Sequence, residues 1–218
     1  LSGDQISTES IIINKKTYTP AIVDRNYELL NQKFPYIIEN GGNHPSKLSK
    51  YQLNKIKKLK SNIAKILNIN NGVLKGDLIL TPKGLFVIEV ATRLSGGDFS
   101  ESLMKYGLGI NYVKTVFDLA VNNTSTISDF RKKTFKHVRN RYFFPKPGKL
   151  IKIIGAKKVL KQNFIKKFEI WYKVGDIIPE IINHSKRAGV FVVEANSFID
   201  AEKKVKWVYE NIKFIVKK

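Results

Sequence analysis

Cysteine is absent from the sequence, which excludes disulfides, thiolate catalysis and cysteine-based zinc sites. Histidine is nearly as scarce, with 3 in 218 residues, too few to favour a histidine-rich zinc centre. No apolar run approaches the roughly 20 residues of a membrane-spanning helix, and no stretch has the form of a secretory signal. The phosphate-loop pattern G-x-x-x-x-G-K-[S/T] is missing, and Gly107-Leu108-Gly109 lacks the third glycine of a dinucleotide fingerprint. There is no internal repeat and no low-complexity tract. Acidic residues are the minority, 18 against 39 lysines and arginines, for a formal charge of +21. The lysines are scattered along every segment and mixed with Ile and Asn, as on solvated faces, and no nucleic-acid-binding motif accompanies them. A cytoplasmic protein without a membrane or nucleic-acid partner is expected, and its basic surface would still attract anionic substrates.

What is present describes a folded protein. Hydrophobic residues make up 43% and aromatics 11%, enough for a real core and far from the composition of disorder. The first residues, Leu1-Ser2-Gly3-Asp4, lack a starting methionine and read as a cut inside a longer protein. Residues 6–13 and 17–23 read as strands joined by a turn at Asn14-Lys15-Lys16, and 34–38 reads as another short strand. Ser46 or Ser49 caps an expected helix reaching about Asn68, with Leu48, Tyr51, Ile56, Leu59, Ile63, Ile66 and Leu67 mostly at three- and four-residue steps and the lysines outside. Strands at 73–80 and 85–91 and a helix at 100–121 follow. Asn122 to Asp129 is polar and reads as a linker. Beyond it, strands are expected at 149–160, 164–173 and 189–195. A last helix is capped by Ser197 and buries Ala201, Val205, Val208 and Ile212.

The most informative segment is 73–93. Pro82 suits the second position of a type I turn and Gly84 a following left-handed position, which predicts a three-residue hairpin loop with a glycine bulge. Thr81 then faces Leu85, and Asp77 falls opposite Glu89. Directly opposed residues have Cβ atoms roughly 5 Å apart, so two like charges there call for a proton or a shared cation. Magnesium prefers such carboxylate oxygens and bridges to phosphate. Leu78, Leu80, Phe86, Ile88 and Val90 would form the core-facing side, and Arg93 shares the side of Glu89. The other reading is an ordinary hairpin whose exposed acids are balanced by Lys75 and Arg93. A two-residue loop would turn Asp77 and Glu89 to opposite faces.

The run from Gly72 through Asp77, Glu89 and Arg93 to Gly97 resembles the metal-site hairpin of the ATP-grasp enzymes, with its E-x-N-x-R pattern and following glycine pair. Gly3-Asp4-Gln5-Ile6-Ser7-Thr8-Glu9 is similar to the G-x-E-x-S-x-E strand of that family. Phe34-Pro35 through His44-Pro45-Ser46 is similar to its carboxylate–amine ligase branch. The tail from Pro147-Gly148 to Arg187-Ala188-Gly189 resembles the small C-terminal domain of amino-acid ligases. The resemblance implies an α+β fold: the C-terminal lobe of an ATP-grasp domain over 1–122, an antiparallel sheet with helices. A connector at 123–145 and a small α+β domain at 146–218 would follow. It implies ATP and Mg2+, or Mn2+ in its place, as cofactors, with Asp77 and Glu89 as metal ligands. Arg93 would act on the transferred phosphate, and Glu9 would line the nucleotide side. The activity implied is phosphorylation of a small carboxylate to an acyl phosphate that an amine attacks. The fragment itself would be inactive, because its partners include the missing N-terminal lobes of the same protein. The family also allows a homodimer. Ala91 stands where many members have a metal-binding asparagine, and Gln5 where they have an acid.

Other candidates are local. His44, in a Gly/Asn/Pro loop, is either an acid–base group of the catalytic site or a solvent-facing loop histidine. Ser95, Gly96 and Gly97 precede a helix and could offer backbone N–H groups to a substrate or cofactor anion, or simply connect. Arg139 and Arg141 beside Tyr142, Phe143 and Phe144 either stack on bases or pack at a domain junction. The alternatives to a ligase are a basic module that binds nucleic acid or another polyanion, and a degenerate, non-catalytic ATP-grasp protein.

Overall fold

The computed structural model describes residues 1–122 and 126–217. In chain order the elements are β1 (Asp4–Ile13), β2 (Lys16–Arg25), one helical turn α1 (Leu30–Lys33), β3 (Gly42–His44), α2 (Lys50–Ile66), β4 (Gly72–Thr81) and β5 (Gly84–Ala91). A π-helical turn at Phe99–Leu103 leads into α3 (Met104–Leu108) and α4 (Tyr112–Asn122), and a 3-10 turn at Ile127–Phe130 precedes β6 (His137–Tyr142). There follow β7 (Gly148–Ile154), α5 (Ala156–Leu160), β8 (Ile165–Ile170), β9 (Ile177–Ile178), β10 (Gly189–Ala195), α6 (Phe198–Asn211) and β11 (Lys213–Lys217). They form two compact units, Leu1–Arg25 with Asn43–Lys136, and Asn26–Gly42 with His137–Lys218. This differs from a division in simple sequence order: Asn26–Gly42 joins the second unit, which begins again at His137. Residues 123–125 of the expected linker and connector lie outside the described residues.

In the first unit the strands run β5–β4–β1–β2, each antiparallel to its neighbour. The β1–β2 turn uses Asn14 and Lys15, both in the left-handed region (φ 49° and 64°), the twist that suits a two-residue hairpin turn. One face of the sheet is covered by α2. Its Ile56, Leu53 and Leu59 pack on Ile6, Ile22 and Leu78, and its Ala64 and Ile63 on Ile12 and Leu74. Ser49 caps α2 through the backbone N–H of Gln52, whose side chain returns to the backbone N–H of Ser49.

Two expectations fail here. The helix read over 100–121 is three pieces, because Gly109 at φ 69° ends α3 in a left-handed cap. The strand read at 34–38 does not form. Pro35 has no N–H for a ladder, and Phe34 and Ile37 are exposed rather than set against a neighbour.

In the second unit, β10 lies between β6 and β8, and β7 lies between β11 and β9, all antiparallel. The stripe Ala201, Val205, Val208 and Ile212 is buried, the last three against Phe143, Phe191 and Val193. The strand expected over 149–160 stops at Ile154 and gives way to α5. Strand β6 was not foreseen, since Arg139, Asn140 and Arg141 break any apolar alternation. All three are nevertheless buried. Arg139 pairs with Glu202 at 3.1 Å, Asn140 accepts the N–H of Gly42, and Arg141 donates to the Gly42 carbonyl. The segment is a core strand whose polar side chains are engaged within the protein, and it offers no platform for stacking bases.

Candidate active site

The β4–β5 hairpin does set Asp77 opposite Glu89, by a route other than the expected one. Thr81 pairs with Gly84, so the loop is the two residues Pro82 and Lys83, and Gly84 sits at φ 132° rather than in a left-handed bulge. Left regular, that register would place Asp77 against Ile88. An irregularity after Leu78↔Val87 leaves Ile88 unpaired and restores Asp77↔Glu89. The shorter loop and the irregularity together change the faces. Leu85 and Val90 pack on the core, whereas Phe86 and Ile88, expected inside, are 38% and 53% exposed.

The opposed carboxylates share one cation. Lys75, two residues before Asp77 and on the same face, places its Nζ 2.7 Å from Asp77 Oδ2 and 3.1 Å from Glu89 Oε1. Arg25, at the end of β2, adds an Nη1 3.1 Å from Asp77 Oδ2, and the Ser7 hydroxyl donates to Asp77 Oδ1 at 2.7 Å. Arg93 lies 3.5 Å from Glu89 Oε1 and donates to the Leu94 carbonyl. Burial of Asp77 opposes ionisation, but Lys75, Arg25 and Ser7 outweigh it and hold the carboxyl below its usual range. Glu89 and Arg93 are about half exposed, so their pairing is worth little by itself. No group of three or more His, Cys, Asp or Glu among the described residues could hold a metal. A cation here would be held by this pair together with non-protein oxygens.

Glu9 lies on the same face of β1 as Ser7. It is neither solvated nor open to a cleft: its exposure is 0%. Its Oε1 accepts the Ser95 N–H at 2.7 Å and the Ser100 hydroxyl at 2.5 Å, while Oε2 has no hydrogen-bond partner. Burial raises its pKa, against the lowering pull of Ser100, Ser95 and Lys60. The Ser95 N–H, expected to be available to an anion, is thus committed to a protein carboxylate. Gly96 accepts from Phe99, and Gly97 takes a left-handed φ of 63° on the way into the π-helical turn. His44, the expected loop histidine, is buried, edge-on to Phe135 at 6.1 Å between ring centroids, with Gly107 against its ring.

Comparison with known proteins adds the following. Residues 141–217 match the family described as L-amino acid ligase C-terminal domain 2. No curated protein matches. Among solved structures, phosphoribosylglycinamide synthetase from Anaerococcus prevotii superposes with a TM-score of 0.86 at 19% identity, over 100% of this chain and 54% of that one. L-amino acid ligase from Bacillus licheniformis gives 0.86 at 20% identity, over 100% and 55%. The biotin carboxylase domain of Hydrogenobacter thermophilus 2-oxoglutarate carboxylase, solved with magnesium ADP and bicarbonate, gives 0.70 at 14% identity, over 97% and 46%. The chain has the ATP-grasp fold. It spans about half the length of the solved structures it matches.

Within the ATP-grasp fold the structure joins Arg25, Asp77, Lys75, Glu89 and Arg93 in one line of contacts and ties Glu9 to Ser95, while His44 has other neighbours. Sequence reasoning named Lys75 only as a balancing surface charge and missed Arg25. Strand parity already puts Lys75 on the face of Asp77, but Arg25 requires the β1–β2 and β1–β4 registers together. Lys60 was also missed. It is 0% exposed on α2, and its Nζ has no hydrogen-bond partner. A Cβ on Gly76 would stand 2.6 Å from that nitrogen, so glycine leaves the space the ammonium uses. Burial lowers the Lys60 pKa to about 8, although Glu9 and Asp77 pull it upward.

Proposed function

We propose that the chain supplies the metal side of the ATP site in a ligase that activates a small carboxylate as an acyl phosphate for attack by an amine. The observation that carries this reading is the cation position shared by Asp77 and Glu89, filled here by the Lys75 ammonium at 2.7 and 3.1 Å. Two hard carboxylates converging on one cation are the donor set that magnesium takes, with its remaining positions left to water and phosphate. Asp77 and Glu89 would hold the ion, which when bound would neutralise phosphate oxygens. Arg93, half exposed beside Glu89, can present its guanidinium to a phosphate or acyl phosphate. Lys75, released from the carboxylates, becomes a second cation for the same anion. Glu9, buried under Ser95 and Ser100, holds the loop that carries Gly96 and Gly97. His44 acts on the substrate side only if its packing opens. ATP is the nucleotide, and Mn2+ would substitute for Mg2+.

The test is magnesium-dependent ATP hydrolysis by the complete protein, surveyed across amino acids supplied in pairs. A rate that rises only when both carboxylate and amine are present, and that disappears in Glu89→Gln, is the expected outcome. Hydrolysis indifferent to Glu89→Gln would overturn the reading.

A second reading, a degenerate module or polyanion binder, draws on the same Lys75, which already satisfies the carboxylates without a metal, and on Ala91 and Gln5. Salt-sensitive binding to nucleic acid that survives Asp77→Ala would favour it.

A further inference from the structure

In the first unit, a cavity of about 310 Å3 lies between the first turns of α2 and the tip of the β4–β5 hairpin, with Tyr51, Ile56, Leu80 and Leu85 along its walls. Leu80 packs with Ile56 and Leu78 on the side of the sheet that α2 covers, opposite the side of Asp77. The volume is at the lower end of small-molecule sites, which combine apolar walls with a few placed polar groups. The walls are preformed. Ile56 is 1% exposed and belongs to one core cluster with Ile6, Ile22 and Leu78, and Leu80 and Leu85 pack against that cluster. Beside Gly84 the rim is open, since a Cβ there would meet nothing within 4 Å.

The polar groups at the rim are donors. Lys55 Nζ lies over the Tyr51 ring, 4.5 Å from its centroid, and forms no ion pair among the described residues. In the cap of α2, Gln52 Oε1 accepts the Ser49 N–H, and the Ser49 hydroxyl oxygen accepts the Gln52 N–H. The side-chain NH2 of Gln52 is left as a donor without a partner among the described residues. No carboxylate balances this end. Neither α2 nor residues 80–85 include an aspartate or glutamate, whereas they carry Lys50, Lys55 and Lys83. Asp4, opposite Leu80 on β1, is itself paired with Lys47 at 3.5 Å. The first turn of the 17-residue α2 adds the partial positive charge of a helix start.

We infer that this cavity binds a small organic carboxylate with an apolar body, its chain or ring against Ile56, Leu80 and Leu85 and its carboxylate at Lys55 and Gln52. A charge-assisted hydrogen bond from Lys55, with the Gln52 amide beside it, fixes the anionic end. A cation of the same shape would meet Lys55 and no acid, and a fully polar anion would leave the apolar wall wet. The inference stands on this side of the sheet alone and does not depend on the cation position at Asp77 and Glu89.

The test uses this chain and three probes of one shape, 3-phenylpropionate, neutral 3-phenylpropanol and 3-phenylpropylammonium, titrated by methyl NMR. The carboxylate probe should bind saturably and shift the methyl resonances of Ile56, Leu80 and Leu85, and the ammonium probe should bind at least about tenfold more weakly. Lys55→Met should weaken the carboxylate probe about fivefold and leave 3-phenylpropanol unchanged, as expected when a charged donor is lost. Lys57→Met, the same charge change at an exposed position of α2 outside the cavity wall, should leave all three affinities unchanged. Tyr51→Ser should weaken the carboxylate and alcohol probes alike. The proposal is overturned if no probe shifts those methyl groups saturably, or if the ammonium binds as well as the carboxylate. It is overturned equally if Lys57→Met weakens the carboxylate as much as Lys55→Met does, because the general field of a basic chain would then account for the binding.

Discussion

Lys60 shows how much a single residue can weigh. A fully buried ammonium without a hydrogen-bond partner costs stability wherever it must stay charged. Its folded pKa, about 8 against an ordinary 10.5, means the unfolded chain binds the proton more tightly. Stability therefore rises with pH across that window, and at neutral pH the penalty is fully present, about 3 kcal/mol by linkage. Lys60→Met should be more stable than the parent chain at pH 7, and that advantage should shrink between about pH 8 and 10.5. Urea melts at several pH values read both, and a variant less stable throughout would contradict the account. Asp77 runs the other way. Its carboxyl is held low, so its contribution is present above the unfolded pKa and lost as pH falls through the folded one. Asp77→Ala would take a carboxylate away from Lys75 and Arg25, both largely buried, at an expected cost of about 3 kcal/mol. Of these residues, Asp77, Glu89 and Arg93 were legible from spacing and resemblance. Lys60 was hidden because a lysine among the lysines of α2 looks like part of its solvated side.

At the scale of elements, the hairpin carries the lesson. Pro82 and Gly84 announce a turn, and the pairing of Asp77 with Glu89 was legible, yet the loop length was misread and the bulge at Ile88 compensates for it. Phe86 was assigned to the wrong face because the loop is one residue shorter than expected, and Ile88 because a bulge has no composition of its own. Helix α2 was readable in its existence and its Ser49 cap, but Tyr51 and Ile66, read on its apolar side, are exposed, while Lys60 is buried. Ser49→Ala should lower stability by about 1 kcal/mol, read in a denaturant melt, through loss of the acceptor for the Gln52 N–H. A change below a few tenths would mean that Gln52 alone sustains the cap. Strand β6 was unreadable because its buried polar residues are satisfied by groups far away in sequence, Gly42 and Glu202.

At the scale of the whole molecule, the α+β class and the ATP-grasp fold were legible, and the division into units was not, because Asn26–Gly42 folds with residues more than 90 positions later. The charge of +21 belongs to this scale too. It is spread widely, and Asp77 with Glu89 is a place where two acids meet against that background. The central claim is that Asp77 and Glu89 form a cation site which Lys75 fills by default. Manganese titration of this chain, followed by electron paramagnetic resonance, tests it most directly. One saturable Mn2+ site is expected, displaced by Mg2+, weakened at least about tenfold by Glu89→Gln and tightened by Lys75→Met, which removes the competing ammonium. Absence of a saturable site in both the parent chain and Lys75→Met, or binding unchanged by Glu89→Gln, would contradict the account.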